Sequence, residues 1–234
     1  LLYNVKRLRA PGNRTPLLIM KKIKVTFLLD KNNLWFEKQL REFDFKLRNK
    51  CMFKISKNYK NIKNQDIVFP LSYTRILPDN FLKKNKLVLI AHPSKLPRDK
   101  GFAPVQYQIL KNKKKIYISL IKAVNKVDAG PISIQNYFHL NGTELSDEIR
   151  KKQGMSFLKI IKDLLKKYPN ISFKNQKGKG NFNRRRYPED SRLNINKSIK
   201  EQFNHLRIND NQLYPSFFYY KKNKYILKIF KNRK

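Results

Sequence analysis

A histidine and an aspartate in this chain have the residue types and the spacing needed for proton transfer. His92 ends an apolar run at residues 87–91 and is followed by a turn rich in Pro, Lys and Gly. Asp128 follows a second apolar segment, residues 116–121. In open α/β sheets, functional side chains gather where buried strands end, and an imidazole beside a carboxylate can move protons. The two side chains can meet only if these two strands lie side by side.

The composition predicts a folded protein with a strongly basic surface. The chain has 234 residues, of which 40% are hydrophobic and 12% aromatic, so it can bury a core. Its 54 Lys and Arg against 16 Asp and Glu give a net charge of +38. The excess is mostly Lys and accompanies abundant Asn, Ile, Phe and Tyr, so we interpret it mainly as an effect of AT-rich codons. The charge should still attract anionic ligands, including phosphorylated substrates.

Several classes of protein are excluded by what the sequence lacks. No apolar run approaches the length of a membrane span. The single cysteine, Cys51, rules out an internal disulfide framework and favours a cytoplasmic location. Three scattered histidines at 92, 139 and 205 offer no zinc-ligand spacing, so no metal is predicted. The first predicted strand is followed by no glycine-rich turn, which argues against a dinucleotide cofactor.

Alternating strands and helices predict an α/β fold, with a Rossmann-like, mostly parallel sheet flanked by helices. The predicted strands cover residues 23–29, 51–55, 66–71, 87–91, 116–121 and 131–138. The predicted helices are 34–48, a short one ending near Phe81, one beginning at Ala103-Pro104, one capped by Thr143 and running to about 167, and one near 198–207. A β-hairpin of residues 215–220 and 225–230, joined at 221–224, is predicted to follow.

Composition also predicts three segments. Residues 1–19 precede Met20 without periodicity and are predicted to be a non-native or disordered leader. Residues 20–180 should form a catalytic domain, and residues 181–234 a small C-terminal subdomain of a helix and the hairpin. The hairpin has an open edge that could pair with a second copy. A homodimer through this edge is therefore predicted, and light scattering that finds a monomer would reject it.

Two spaced motifs carry a resemblance to a known family. The first consists of His92-Pro93-Ser94, Leu96-Pro97, Lys100-Gly101 and Pro104, and the second of Val127-Asp128-x-Gly130-x-Ile132 and Gln135. Together they resemble the folate-dependent formyltransferases, a family that includes methionyl-tRNA formyltransferase and the N-formyltransferases of nucleotide-linked amino sugars. The later Arg184-x-Arg186-x-Pro188 and Tyr214-Pro215 resemble the segment that follows the catalytic domain in the sugar enzymes.

The resemblance implies transfer of a formyl group from N10-formyltetrahydrofolate to a primary amine. Such a reaction needs a donor aimed at the developing oxyanion and a base for the amine proton. The resemblance assigns the first role to His92 and the second to Asp128. The structural alternatives are a buried His bonded to the backbone and an Asp that caps a turn. Ile90 stands where the family usually has Asn, so one expected oxyanion donor is absent.

The resemblance also implies binding residues. The folate candidates are Tyr73, Leu77, Lys95, Leu96, Pro97, Gly101, Val127, Ala129 and Gly130. Arg184 and Arg186 could hold a pyrophosphate bidentately, with a solvated basic loop as the alternative. For Tyr73 the alternative is a core aromatic at a strand end.

Three functions remain open at this level. The first choice of acceptor is a nucleotide-linked amino sugar, because the 54 residues after Gly180 are few for the tRNA-binding β-barrel of the methionyl-tRNA enzymes. Methionyl-tRNA is the alternative acceptor, favoured by the net charge of +38. A weakly active or inactive binding protein on the same scaffold is the third, favoured by Ile90.

Overall fold

The computed structural model describes residues 21–30 and 35–232, so the predicted leader at 1–19 lies outside the described residues. The strands are β1 Ile23–Leu29, β2 Cys51–Ser56, β3 Ile67–Leu71, β4 Leu89–His92, β5 Lys100–Gly101, β6 Lys115–Lys122, β7 Ile132–His139, β8 Phe182–Asn183, β9 Ser216–Tyr220 and β10 Asn223–Leu227. The helices are α1 Trp35–Glu42, α2 Asp79–Lys83, α3 Pro104–Leu110, α4 Ser146–Lys167 and α5 Phe203–Ile208.

The main sheet has the strand order β2-β1-β3-β4-β6-β7, in which a bridge between Val68 and Val88 joins its two halves. β1 is parallel to β2 and β3, and the bridge from β3 to β4 is also parallel. β6 alone runs the opposite way, antiparallel to both β4 and β7. The predicted mostly parallel α/β fold is therefore confirmed.

Helices cover both faces of this sheet because its central strands are apolar on both sides. The larger core joins residues such as Phe27, Phe69 and Leu89 to apolar residues of α1 and α4. On the opposite face, Val68 and Val88 pack with Phe81 of α2. Within residues 21–30 and 35–232, no helix is long and apolar enough to span a membrane.

Several predicted element boundaries are wrong. The first helix ends at Glu42 instead of 48, because the apolar residues beyond it, including Phe43 and Phe45, pack from an irregular turn. The last helix begins at Phe203 instead of near 198. The hairpin turn is the pair Lys221-Lys222, both at positive φ, so β10 begins at Asn223. The short pairing of β5 with β8 has no periodic signal and was not predicted.

The sequence predicted that Thr143 caps α4. The helix starts three residues later, at Ser146, so this prediction is wrong. Glu144, the neighbour of Thr143, is buried instead, with only 4% of its surface exposed. The Glu144 carboxylate accepts hydrogen bonds from the Asn141 and Gly142 backbone N–H groups and from Lys152 Nζ. It also lies 3.8 Å from the buried guanidinium of Arg207 in α5, so one carboxylate ties the C-terminal segment to the start of α4.

These contacts predict a pH dependence of stability. Burial alone would raise the pKa of Glu144, but the hydrogen bonds from Lys152 and the backbone outweigh it and lower the pKa to about 2. A carboxyl whose pKa is lower in the folded state stabilises the protein above its ordinary pKa of 4.5 and loses that contribution as the pH falls toward 2.

We therefore expect Glu144→Gln to lower the free energy of unfolding at pH 7 by about 3 kcal/mol. The difference from wild type should shrink as the pH falls below about 4. Urea unfolding at pH 7, 4 and 3 measures both effects. The control is Glu189→Gln, since that side chain is 65% exposed and should change little. A Glu144→Gln deficit that stays constant across this pH range would contradict the assignment.

Candidate active site

A loop that folds back over the sheet brings the predicted pair together. β6 is antiparallel to β4, so the chain leaves β6 beside the start of β4, where Ala123 N–H donates to the Val88 carbonyl. The chain then turns back toward His92 at the end of β4. Gly130 permits this turn, since a methyl group there would lie 1.7 Å from the Lys122 carbonyl oxygen. The strands before His92 and Asp128, β4 and β6, lie side by side as expected, but they are antiparallel.

The carboxylate of Asp128 lies between two parts of the site. Its Oδ1 is 3.3 Å from His92 Nδ1, and its Oδ2 accepts a hydrogen bond of 2.8 Å from the Gly101 backbone N–H. Asp128 itself has φ 49°, a left-handed conformation that Asp tolerates better than most residues. The three residues come from separate segments of the chain, so this carboxylate fixes their relative positions.

His92 is held at both ring nitrogens. Its Nε2 lies 2.9 Å from the Asp99 carbonyl oxygen, and only 6% of the residue is exposed. A carbonyl and a carboxylate both accept hydrogen bonds, so each contact is favourable only if the facing nitrogen carries a proton. The two contacts therefore fix the orientation of the imidazole ring between Asp128 and Asp99.

Asp99 is a residue of the candidate site that the sequence reasoning missed. Its side chain is buried and lies 3.1 Å from Lys111 Nζ and 3.6 Å from Lys113 Nζ. Burial would raise the pKa of this carboxyl, but hydrogen bonds from Lys111 and Asn181 outweigh it and lower the pKa below its ordinary value. A signal was present, since Asp99 is the only acidic residue between Asp79 and Asp128.

Ser119, also missed, anchors the turn that follows His92. It pairs with His92 in the β4–β6 ladder, and its Oγ donates to the Ser94 carbonyl at 2.7 Å. The same Oγ accepts from the Leu96 N–H and from Gln135 Nε2. One buried hydroxyl thus connects both motifs, although serine in a β-branched strand gives no signal of such a role.

The predicted folate residues fall into two groups. Tyr73 and Leu77 are half-buried and pack with Val88, on the face of the sheet that also carries His92. Burial raises the pKa of the Tyr73 phenol. The others lie in the two loops around His92. Leu96 and Gly130 are buried, Pro97 and Ala129 are half-buried, and Val127 is 47% exposed. Lys95 Nζ lies 5.1 Å from the Tyr117 ring centroid.

The two arginines predicted to hold a pyrophosphate are engaged within the chain. Arg184 forms a bidentate ion pair with Asp190 and thereby lowers the pKa of that carboxyl to about 2. Arg186 Nη2 donates to the Asp190 carbonyl at 2.8 Å and to Asn209 Oδ1 at 3.2 Å. Both guanidinium groups therefore bond within the C-terminal segment, while the Arg184 side chain is 63% exposed.

Ile90 lies on the same side of β4 as His92, because side chains alternate along a strand. It is half-buried and pairs with Ile121 in β6. An apolar side chain therefore occupies the face that His92 shares, two residues from the imidazole. No hydrogen-bond donor is provided by this position.

A buried imidazole–carboxylate pair on a Rossmann-like sheet defines a protein equipped for proton transfer. Residues 14–157, more than half of the chain, match the formyl transferase family. The chain therefore belongs to the formyl transferase family, as the two motifs indicated.

Three comparisons describe its relatives. Methionyl-tRNA formyltransferase of Mesoplasma florum is 31% identical over 160 residues, which cover 66% of this chain and 51% of that protein. The chain thus spans about half the length of this relative. The structure of methionyl-tRNA formyltransferase from Clostridium thermocellum has a TM-score of 0.77 at 20% identity and covers 90% of this chain and 94% of its own. A 4-N formyltransferase from Francisella tularensis has a TM-score of 0.62 at 20% identity and covers 90% and 98%.

The site predicts that Gly101 cannot be replaced by alanine. Its φ is 84°, and a methyl group would lie 2.6 Å from the Asn183 carbonyl oxygen. We expect Gly101→Ala to displace the N–H that holds Asp128 and to lower the activity by about 100-fold, as displacements of an ångström can. Formyl-transfer assays on purified protein measure this.

The matched control is Gly142→Ala. Gly142 also has a positive φ, of 104°, but a methyl group there meets nothing within 4 Å. It should lose some stability and keep its activity. Equal activities for the two variants would show that the position of the Gly101 N–H does not matter.

Proposed function

We propose that this chain transfers the formyl group of N10-formyltetrahydrofolate to the primary amine of methionyl-tRNA. The observation that carries the proposal is the Asp128 carboxylate, held by the Gly101 N–H and 3.3 Å from His92 Nδ1 in a formyl transferase fold. The folate co-substrate would supply the one-carbon group. The residues of this chain supply the proton transfers and the positions.

The residues present fit a flat, partly polar group such as a pterin. Tyr73 and Leu77 pack against an apolar cluster that includes Val88, on the face that carries His92. Beside the Asp128 loop, Gln176 Nε2 donates to the Asp128 and Gly130 carbonyls at 2.8 Å each. The buried Oε1 of Gln176 has no partner among the described residues, so it could accept a hydrogen bond from the co-substrate.

Asp128 and His92 divide the proton transfers. Asp128 accepts the proton of the attacking amine, because its carboxylate is fixed and 10% of its side chain remains exposed. The Nε2–H of His92, which faces the Asp99 carbonyl in the structure, would exchange that partner for the oxygen on which negative charge develops. As the bond between the amine and the formyl carbon forms and the bond from that carbon to N10 of the folate breaks, the proton taken up by Asp128 would pass to the departing N10. Because Ile90 offers no donor, His92 and backbone N–H groups must stabilise that charge. Loss of one such donor costs roughly 10²–10³ in rate.

Methionyl-tRNA is the acceptor with the stronger support, in contrast to the first choice made from the sequence. Arg184 and Arg186, which could have held the pyrophosphate of an amino-sugar nucleotide, are both bonded to Asp190. The relative at 31% identity is a methionyl-tRNA formyltransferase, and a charge of +38 favours a polyanionic substrate. The cytoplasmic location, the division at residue 180 and the homodimer stay predictions.

A panel of acceptors tests the proposal. The protein is incubated with N10-formyltetrahydrofolate and either methionyl-tRNA or a set of nucleotide-linked amino sugars, and the formamide product is detected by mass. We expect formylated methionyl-tRNA. Formylation of an amino sugar alone would replace the acceptor by the sequence-based first choice. No product with any acceptor would favour the inactive binding protein.

We expect Asp128→Asn to lower formyl transfer by roughly 10²–10⁴, the usual contribution of a general base. Asn is nearly isosteric and accepts a positive φ, so the melting temperature should stay close to that of wild type. The control is Asp79→Asn, an exposed aspartate bonded to Asn125, which should retain full activity. If Asp128→Asn unfolds the protein, or is fully active, Asp128 is structural.

A further inference from the structure

Two large aromatic side chains are exposed beside the catalytic loop. Phe102 is 45% exposed and Phe182 is 62% exposed. Each has a cation near its ring: Lys100 Nζ is 5.7 Å from the Phe182 centroid, and the Arg185 guanidinium is 5.6 Å from the Phe102 centroid. We call these four residues the aromatic rim. Nothing in the proposed proton transfers uses them.

The rim lies next to the reacting groups because β5 pairs with β8. Lys100 is opposite Phe182, and Gly101 is opposite Asn183, in a short parallel ladder. Gly101 donates its N–H to the Asp128 carboxylate. The rim residues Lys100 and Phe102 are therefore the two chain neighbours of the residue that holds the proposed base.

Two buried polar groups at the same place have no partner among the described residues. They are Asn183 Nδ2, in β8, and Tyr107 Oη, in the helix that begins two residues after Phe102. A buried polar group without a hydrogen bond costs roughly 1–3 kcal/mol. A ligand that offered an acceptor to these donors would recover that cost, so both point to a polar ligand at the rim.

The segment that carries Phe182 is basic throughout. Residues 177–186 read KGKGNFNRRR, with five cations and no acid. Arg184 is neutralised by Asp190, whereas Lys177, Lys179 and Arg185 are exposed. Aromatic faces interspersed with cations are how proteins hold unpaired nucleotides, since the bases stack and the phosphates are attracted to the cations.

We propose that the aromatic rim holds an unpaired nucleobase of the acceptor and the phosphate next to it, so that the acceptor's amine reaches Asp128. The proposal rests on the proposed function in that it requires an acceptor that contains a nucleotide. The rings of the folate have similar flat chemistry. We assign the rim to the nucleotide because its cations suit a phosphate and because Tyr73 and Leu77, the other folate candidates, lie against a separate apolar cluster.

The test measures binding without turnover. The probe is the RNA tetranucleotide ACCA, and its Kd is measured by isothermal titration calorimetry for wild type, Phe102→Leu and Phe182→Leu. Leucine keeps the apolar bulk and removes the π face. A lost stack is worth roughly 1–3 kcal/mol per base, so we expect each variant to bind about tenfold more weakly or worse. Phe230→Leu is the control, because Phe230 is 81% exposed and lies beyond β10; it should bind like wild type.

The cations are tested by the salt dependence of the same affinity. Lys100→Gln and Arg185→Gln should each lower the slope of log K against log salt by about 0.7, the value for one phosphate contact on a single strand. Unchanged slopes together with unchanged Kd values for the two Phe variants would overturn the proposal. Thermal melting confirms that each variant is folded.

Steady-state kinetics separate this proposal from the proposed function. If methionyl-tRNA is not formylated but oligonucleotide binding depends on Phe102 and Phe182, the rim stands and the proposed function fails. If methionyl-tRNA is formylated and both Phe variants keep its KM, the rim is wrong and the proposed function stands. A raised KM for N10-formyltetrahydrofolate alone would assign the rim to the co-substrate and overturn the proposal.

Discussion

The site depends on one carboxylate that joins three segments of the chain. Asp128 accepts the Gly101 N–H and faces His92 Nδ1, so the turn after β4, the loop after β6 and the strand end are fixed relative to one another. It reaches this position only because Gly130 allows the backbone to pass against the Lys122 carbonyl. The imidazole is oriented from the other side by the Asp99 carbonyl. Neither glycine of the two motifs can be replaced without moving this carboxylate.

Much of this arrangement could be predicted from the sequence, because alternating apolar segments and two spaced motifs carry local information. His92 and Asp128 lie together, as their places after two neighbouring strands predicted. The antiparallel direction of β6 could not be predicted, since a strand's apolar pattern is the same in both directions. The roles of Asp99 and Ser119 depend on backbone carbonyls and a buried hydroxyl brought together by folding, which leave no periodic pattern. The bonds from Arg184 and Arg186 to Asp190 also leave no periodic pattern in the sequence.

The structure separates the positive charges into solvated side chains and a few cations with defined partners. Most lysines are solvated and agree with a codon-driven composition, but some cations have defined partners. Lys111 and Lys113 hold Asp99 behind His92, while Lys100 and Arg185 lie over exposed phenylalanines at the edge of the site. A polyanionic acceptor would be attracted by the whole surface and positioned by this small set.

Nitrogen NMR of the His92 ring tests the central claim most directly. With ¹⁵N-labelled imidazole, and with His139 and His205 as internal references, the shifts report which ring nitrogens carry protons. The account predicts an Nε2–H bonded to the Asp99 carbonyl and a displaced Nδ1 resonance in the Asp128→Asn variant. An Nε2 without a proton, or an Nδ1 shift that is the same in wild type and in Asp128→Asn, would contradict the account.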